Sequence, residues 1–172
     1  MKKKFFYLLL AAVTTMGFAS SCSDDDDNDI PSDNVPEAVT KAFSQQYPDA
    51  KNVEWSQNGK YYVADFDEAT RFTDIDAWYT AAGEWAMSEN DYGKDLFLIP
   101  AAVNAGFNKT DYRTWTVDDI DYYEFPAATR DFYVIEVETA GQPDTDLYFR
   151  PDGTLVKAVA NDTSVITPDT VI

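Results

Sequence analysis

Asp65 and Glu136 are the pair of acids whose placement could do chemistry. They fall at matching places in two similar stretches, "KYYVADFDEA" and "DFYVIEVETA". A hydrolase built on paired carboxyls needs two acids facing one scissile bond. Against that stands the abundance of acids, 31 in 172 residues, which makes such coincidences common. Solvent-facing strand positions are the plainer expectation for both. Asp74 with Asp76, and Asp144 with Asp146, are spaced acids that could ligate calcium. Neither pair sits in an EF-hand loop, since the central Gly and terminal Glu are missing. The expectation is no catalytic residue, no metal and no cofactor.

Other chemistries are excluded by residue type. The chain has no histidine, which removes Ser-His-Asp triads, the usual zinc sites and imidazole acid-base catalysis. "TAAGEW" and "PDGTL" are turns rather than phosphate loops. Cys22 is the single cysteine, so no intrachain disulfide forms and no thiol nucleophile lies in the body of the chain.

The first residues address the chain. "MKKKFFYLLLAAVTTMGFASSC" has a basic start, a short apolar stretch and small residues before Cys22. That is the layout of a secretory signal peptide over residues 1–21, too short to stay across a bilayer. "ASSC" resembles the bacterial lipobox, with Ala19 where Leu is preferred; the resemblance implies lipidation of Cys22 and an anchor that holds without spanning. The run "SDDDDND" then reads as a solvated tether over residues 22–33. It also resembles the surface-export signal of Bacteroidetes lipoproteins. The expected location is the outer membrane, on the cell surface or facing the periplasm.

Without the three leading lysines, ten basic residues stand against 31 acidic, a balance of −21. Such a charge argues against nucleic acid and against adsorption on anionic lipid. It suits a basic partner. Aromatics make up 15% of the chain, enough for a core and for a sticky face.

The elements that would position these residues come in two rounds. "VPEAVTKAF" at Val35 and "IPAAVNAGF" at Ile99 match over Pro, Ala, Val and Phe. Each predicts an amphipathic helix, over 36–47 and 100–108, with Pro in the first turn and Asn34 as a candidate cap for the first. Gly106 weakens the second. After each helix the apolar period drops to two. Asn58-Gly59 marks a hairpin, and Gly83 and Gly153 mark later turns. The reading is α+β: a tandem duplication of a helix plus four antiparallel strands, over 34–95 and 96–162. The two units form one curved eight-stranded antiparallel sheet with the helices on one face. Residues 163–172 read as a frayed tail or an edge strand.

Strand alternation divides the two faces. Tyr62, Ala64, Phe66, Ala77 and Tyr79, with Tyr133, Ile135, Val137, Leu147 and Phe149, are assigned to the helix-covered core. Tyr61, Asp65, Trp78, Phe132, Glu136 and Tyr148 then line the open face as a candidate partner-binding patch. A one-residue slip would reverse this choice.

"VPEAVTKAFSQQYPDAKNVEW", "YYVADF" and "AAGEWAMS" resemble the BLIP-like, PepSY-like family of Bacteroides secreted proteins. The resemblance implies an architecture similar to the beta-lactamase inhibitory protein, which grips its enzyme with a concave sheet. Fold likeness does not carry the target across. The expected function is a non-enzymatic, lipid-anchored module holding a protein or peptide, with a secreted enzyme among the candidate partners. A carbohydrate-binding or carbohydrate-active role is the alternative, because aromatics also stack on sugars.

Overall fold

Two prolines set where the helices begin. Pro36 (φ −55°, ψ 137°) and Pro100 (φ −56°, ψ 140°) are each the last extended residue before a helix. Helix α1 spans Glu37–Gln46 and α2 spans Ala101–Phe107. Proline fixes φ and lacks the N–H that a first turn leaves unpaired, so it serves as the entry point. Asn34 does not cap α1; it belongs to a 3₁₀ turn, Ser32–Asn34, and no side chain caps the helix.

The computed structural model describes residues 29–68 and 73–172. The expected signal peptide, Cys22 and the acidic run through Asn28 lie outside the described residues. The end of the stretch read as a tether belongs to the fold. Asp29 bridges Ser56, and the Ile30 N–H donates to the Trp55 carbonyl at 2.8 Å.

Eight strands follow the helices in two sets of four. The first set is β1 (Ala50–Asn58), β2 (Tyr61–Glu68), β3 (Thr73–Thr80) and β4 (Trp85–Asp91). The second is β5 (Thr116–Glu124), β6 (Phe132–Glu138), β7 (Thr145–Phe149) and β8 (Leu155–Ala160). They form one antiparallel sheet in chain order, β1 to β8. The β1–β2 register pairs Asn58 with Tyr61, so the two-residue loop is Gly59-Lys60, one residue later than the Asn-Gly signal suggests.

The duplication extends to the irregularities. β1 bulges between Lys51 and Glu54, and β5 between Val117 and Asp119. The β3–β4 register shifts between Trp78 and Tyr79, and the β7–β8 register between Tyr148 and Phe149. Both units therefore bend at the same places. They meet at β4–β5, where Ser88, Glu89, Asn90 and Asp91 pair with Glu124, Tyr123, Tyr122 and Asp121.

Each helix covers its own unit on the same side of the sheet. Val39, Phe43 and Tyr47 pack on Trp55, Phe66, Ile75 and Tyr79. Val103 and Phe107 pack on Ile120, Ile135, Val137, Leu147 and Phe149. Among them are Phe66, Tyr79, Ile135, Val137, Leu147 and Phe149, which strand alternation assigns to the helix-covered side. At the seam, Tyr47 Oη and Ser88 Oγ lie 2.8 Å apart, and Trp85 Nε1 donates to the same Ser88 Oγ at 2.8 Å.

The third and fourth strands of each unit are joined by a turn wedged under a helix start. Gly83 (φ +80°) lies against the Ala38 backbone and Gly153 (φ +85°) against the Ala102 backbone, with no room for a Cβ. Gly106, a weak helix former, has the same reason to be there: a Cβ at Gly106 would strike the Gly153 carbonyl. Replacing Gly83 or Gly153 with Ala adds left-handed strain and a backbone clash, an expected cost of about 2 kcal/mol or more each. Gly59→Ala meets open space and costs about 1 kcal/mol. Urea unfolding of the three variants, with the midpoints ranked, checks this.

Candidate functional site

The face turned away from the helices has two zones. At one end, Tyr61, Val63, Trp78, Met87, Tyr123, Phe125, Phe132, Val134 and Tyr148 form an apolar cluster. The patch expected to lie open is covered: Tyr61 is 7% exposed, Trp78 5%, Phe132 1% and Tyr148 2%. These four rings lie on the side away from α1 and α2, buried rather than open. Part of the burial comes from neighbouring rings. Phe132 stacks on Tyr123 at 4.9 Å and tilts against Tyr148 at 5.9 Å, and Trp78 meets Tyr61 edge-on at 6.0 Å.

Residues 163–172 pack on the same cluster, beside Ala86 and Val159. This segment neither frays nor adds a strand to the edge; Ile166 and Ile172 pack against the cluster. Polar contacts hold it on both units. Lys60 Nζ pairs with Asp169 at 3.0 Å, and the Tyr61 hydroxyl donates to Asp169 at 3.1 Å. Arg130 donates to the Pro168 and Thr170 carbonyls at 2.8 and 2.9 Å, and Arg150 to the Ile172 carbonyl at 3.3 Å. A tight turn around Pro168 is closed by the Thr170 N–H on the Thr167 carbonyl at 2.9 Å.

The second zone is acidic. Cross-strand pairing lines up Glu54, Asp65, Asp76 and Glu89 in one row. Asp67, Asp74, Asp91 and Asp121 form the next. Asp119, Glu136 and Asp146 form a third. Like charges placed directly opposite each other repel, so rows of this kind destabilise the sheet unless they take up protons or cations. Burial pushes Asp76 up to about 8, with Glu89 and Asp65 adding to it. Burial raises Glu89 to about 7, with Asp91 and Asp119 adding, although the Tyr123 hydroxyl donates to its carboxylate at 3.0 Å and opposes the shift. Asp121 is raised by burial and then by Glu89, Asp119 and Asp91. Asp119 moves the same way, from burial and then Asp91.

Asp65 and Glu136 take part in these rows but do not meet. They sit on β2 and β6, four strand spacings apart, roughly 19 Å across the sheet. Paired carboxyls that act on one glycosidic bond lie within about 10 Å. Asp74 and Asp76 share this face, while Asp144 precedes β7 and its carbonyl accepts from the Asn161 N–H. The acids that come closest to a shared point are others. Asp91, Asp119 and Asp121 can bring one oxygen each within 4.8 Å of one another, and all three are half-buried. A divalent cation there would take most of its ligands from water or backbone, since calcium binds 6–8 oxygens in general. The alternation in "VDDID" signals two of these acids; their meeting with Asp91 depends on the seam, which no local pattern reveals.

The shifts fix a sign for stability. Asp76 and Glu89 bind protons more tightly in the folded chain than in the unfolded one. Their contribution is complete below about pH 4, the ordinary carboxylate range, and is lost as the pH rises through about 7 to 8. The protein is expected to melt several degrees higher at pH 5 than at pH 8, about 3 °C per kcal/mol at this size. Asp76→Asn with Glu89→Gln should raise the pH 8 melting temperature and flatten the profile. Thermal melts from pH 4 to pH 9 measure both.

Residues 23–75 and 60–157 match the family described as "Putative beta-lactamase-inhibitor-like, PepSY-like". Solved structures from Bacteroides share the architecture. A BLIP-like protein of Bacteroides fragilis is 31% identical, with a TM-score of 0.69 over 78% of this chain and 94% of its own. A DUF2874 family protein of Bacteroides ovatus is 28% identical, with a TM-score of 0.70 over 77% and 94%. A Bacteroides eggerthii structure, one of its "putative periplasmic proteins", is 29% identical, with a TM-score of 0.66 over 73% and 88%. A comparison with curated proteins returned no match.

Proposed function

The chain belongs to this PepSY-like family, and from that premise we propose that it is a non-enzymatic binding module whose helix-free sheet face holds a protein or peptide. The observation that carries the reading is the set of three acidic rows on a face that no helix among the described residues covers. Asp65, Glu136 and their neighbours remain half-exposed, so a partner can reach them. Surrounded by like charge, they favour basic side chains, which would neutralise repulsion the fold otherwise bears.

The finer reading keeps the features of the amino terminus. The chain is exported by residues 1–21, lipidated at Cys22 and held at the outer membrane with this face free. The partner is a secreted enzyme whose activity falls on binding, as the family description suggests. A sugar-stacking role would need Tyr61, Trp78, Phe132 and Tyr148 uncovered first.

Neutralising the half-exposed acids in Asp65→Asn, Asp74→Asn and Glu136→Gln together should weaken capture of a basic partner about tenfold or more, with the residual binding less sensitive to salt. Crosslinking on intact cells, followed by affinity measurement on the recovered partner, tests it. An unchanged partner set and affinity in the folded triple variant would reject the acidic face.

A further inference from the structure

The segment 163–172 is built like a ligand. It puts two aliphatic side chains, Ile166 and Ile172, into an aromatic floor, while Val165 and Val171 point outward at 69% and 84% exposure. Between the two anchors, Asp169 is read by Lys60 and by the Tyr61 hydroxyl. Its backbone is read at three carbonyls by Arg130 and Arg150. Side-chain anchors set by pockets and main-chain carbonyls set by fixed donors are how an extended peptide is recognised. The same contacts span both units, from the β1–β2 loop to β7.

The cluster that Ile166 and Ile172 pack against holds one unmet donor. Trp78 is 5% exposed, and its Nε1–H, a donor only, has no acceptor among the described residues. A buried donor left unpaired favours any occupant that brings an acceptor to it.

We propose that residues 163–172 are an intramolecular strap occupying one end of the partner site, and that an extended peptide segment of the same character displaces it. That segment carries two aliphatic side chains six residues apart with a carboxylate between them. This rests on the reading of the helix-free face as the partner surface. Displacement uncovers Tyr61, Trp78, Phe132 and Tyr148 and joins the aromatic end to the acidic rows. The strap lowers apparent affinity by the fraction of time it is docked.

The test uses the full chain and a fluorescently labelled synthetic peptide of residues 161–172. Ile166→Asp with Ile172→Asp undocks the strap without removing it. The peptide is expected to bind this variant at least about tenfold more tightly than the unaltered chain, where the strap competes. A peptide carrying Asp169→Lys should lose most of that binding. Equal affinity for both proteins, or no binding to a variant that still melts cooperatively, overturns the proposal. Should the variant not fold, Asp169→Asn in the full chain serves instead. Hydrogen exchange over 163–172 should then speed up several-fold, with β2 to β7 unchanged. Unchanged exchange in the strap, or acceleration spread over the whole sheet, overturns it. Peptide binding with no partner recovered from cells would fell the partner reading alone. A partner recovered equally by wild type and undocked variant, with no peptide binding, would fell the strap alone.

Discussion

A sheet has two faces, and the two α-helices among the described residues cover one of them. Everything else in the structure answers that imbalance. Ten residues beyond the last strand cover the aromatic end of the second face, and acids occupy the rest. The helix side is held by two similar cores, each built from the helix of one unit and the strands beneath it. A unit of about 60 residues has little core by itself. The β4–β5 pairing joins two such units into one continuous support without a third layer.

That pairing also brings the acids of the two units together on the second face. Within each unit, acids alternate with apolar residues as a half-wet strand requires. Joining the units sets Asp91 opposite Asp121 and Glu89 beside Tyr123. Charges that would have been scattered on two edges become neighbours in the middle of a wide sheet, where burial is greatest. Glu89 is raised by burial first and then by Asp91 of its own unit and Asp119 across the seam, whereas Asp76, one strand further in, is raised by burial and by Glu89 and Asp65 of its own unit. The basic groups near the face are already engaged. Lys60, Arg130 and Arg150 hold the strap, and Lys157 lies 4.0 Å over the Tyr148 ring.

Much of the fold was legible because its signals are local. The Pro-initiated helices, the drop from period 3.6 to period 2 and the turn glycines place the elements, and alternation alone puts Tyr62, Ala64 and Phe66 under α1 and Tyr61 and Val63 opposite. The candidate site was legible only in part, because its content is nonlocal. Nothing in "TSVITPDTVI" has a strand or helix period, so its docking on Tyr61 and the aromatic cluster cannot be read along the chain. The bulges at Lys51 and Val117 change which acids face one another, and a bulge leaves no mark in the residue pattern. Asn34 looked like a cap by type, yet Pro36 already supplies the entry geometry, and the asparagine is spent in the preceding turn.

The strand order has a consequence for how the molecule is made. Every strand pairs with the one just before it, from β1 to β8, with no crossover. Such a meander can be laid down as the polypeptide emerges amino terminus first, each new hairpin finding its mate already waiting. The stretch 163–172 comes after the strands whose side chains it packs on. Cover therefore follows floor: it can close over the aromatic end only once β2 to β7 have paired.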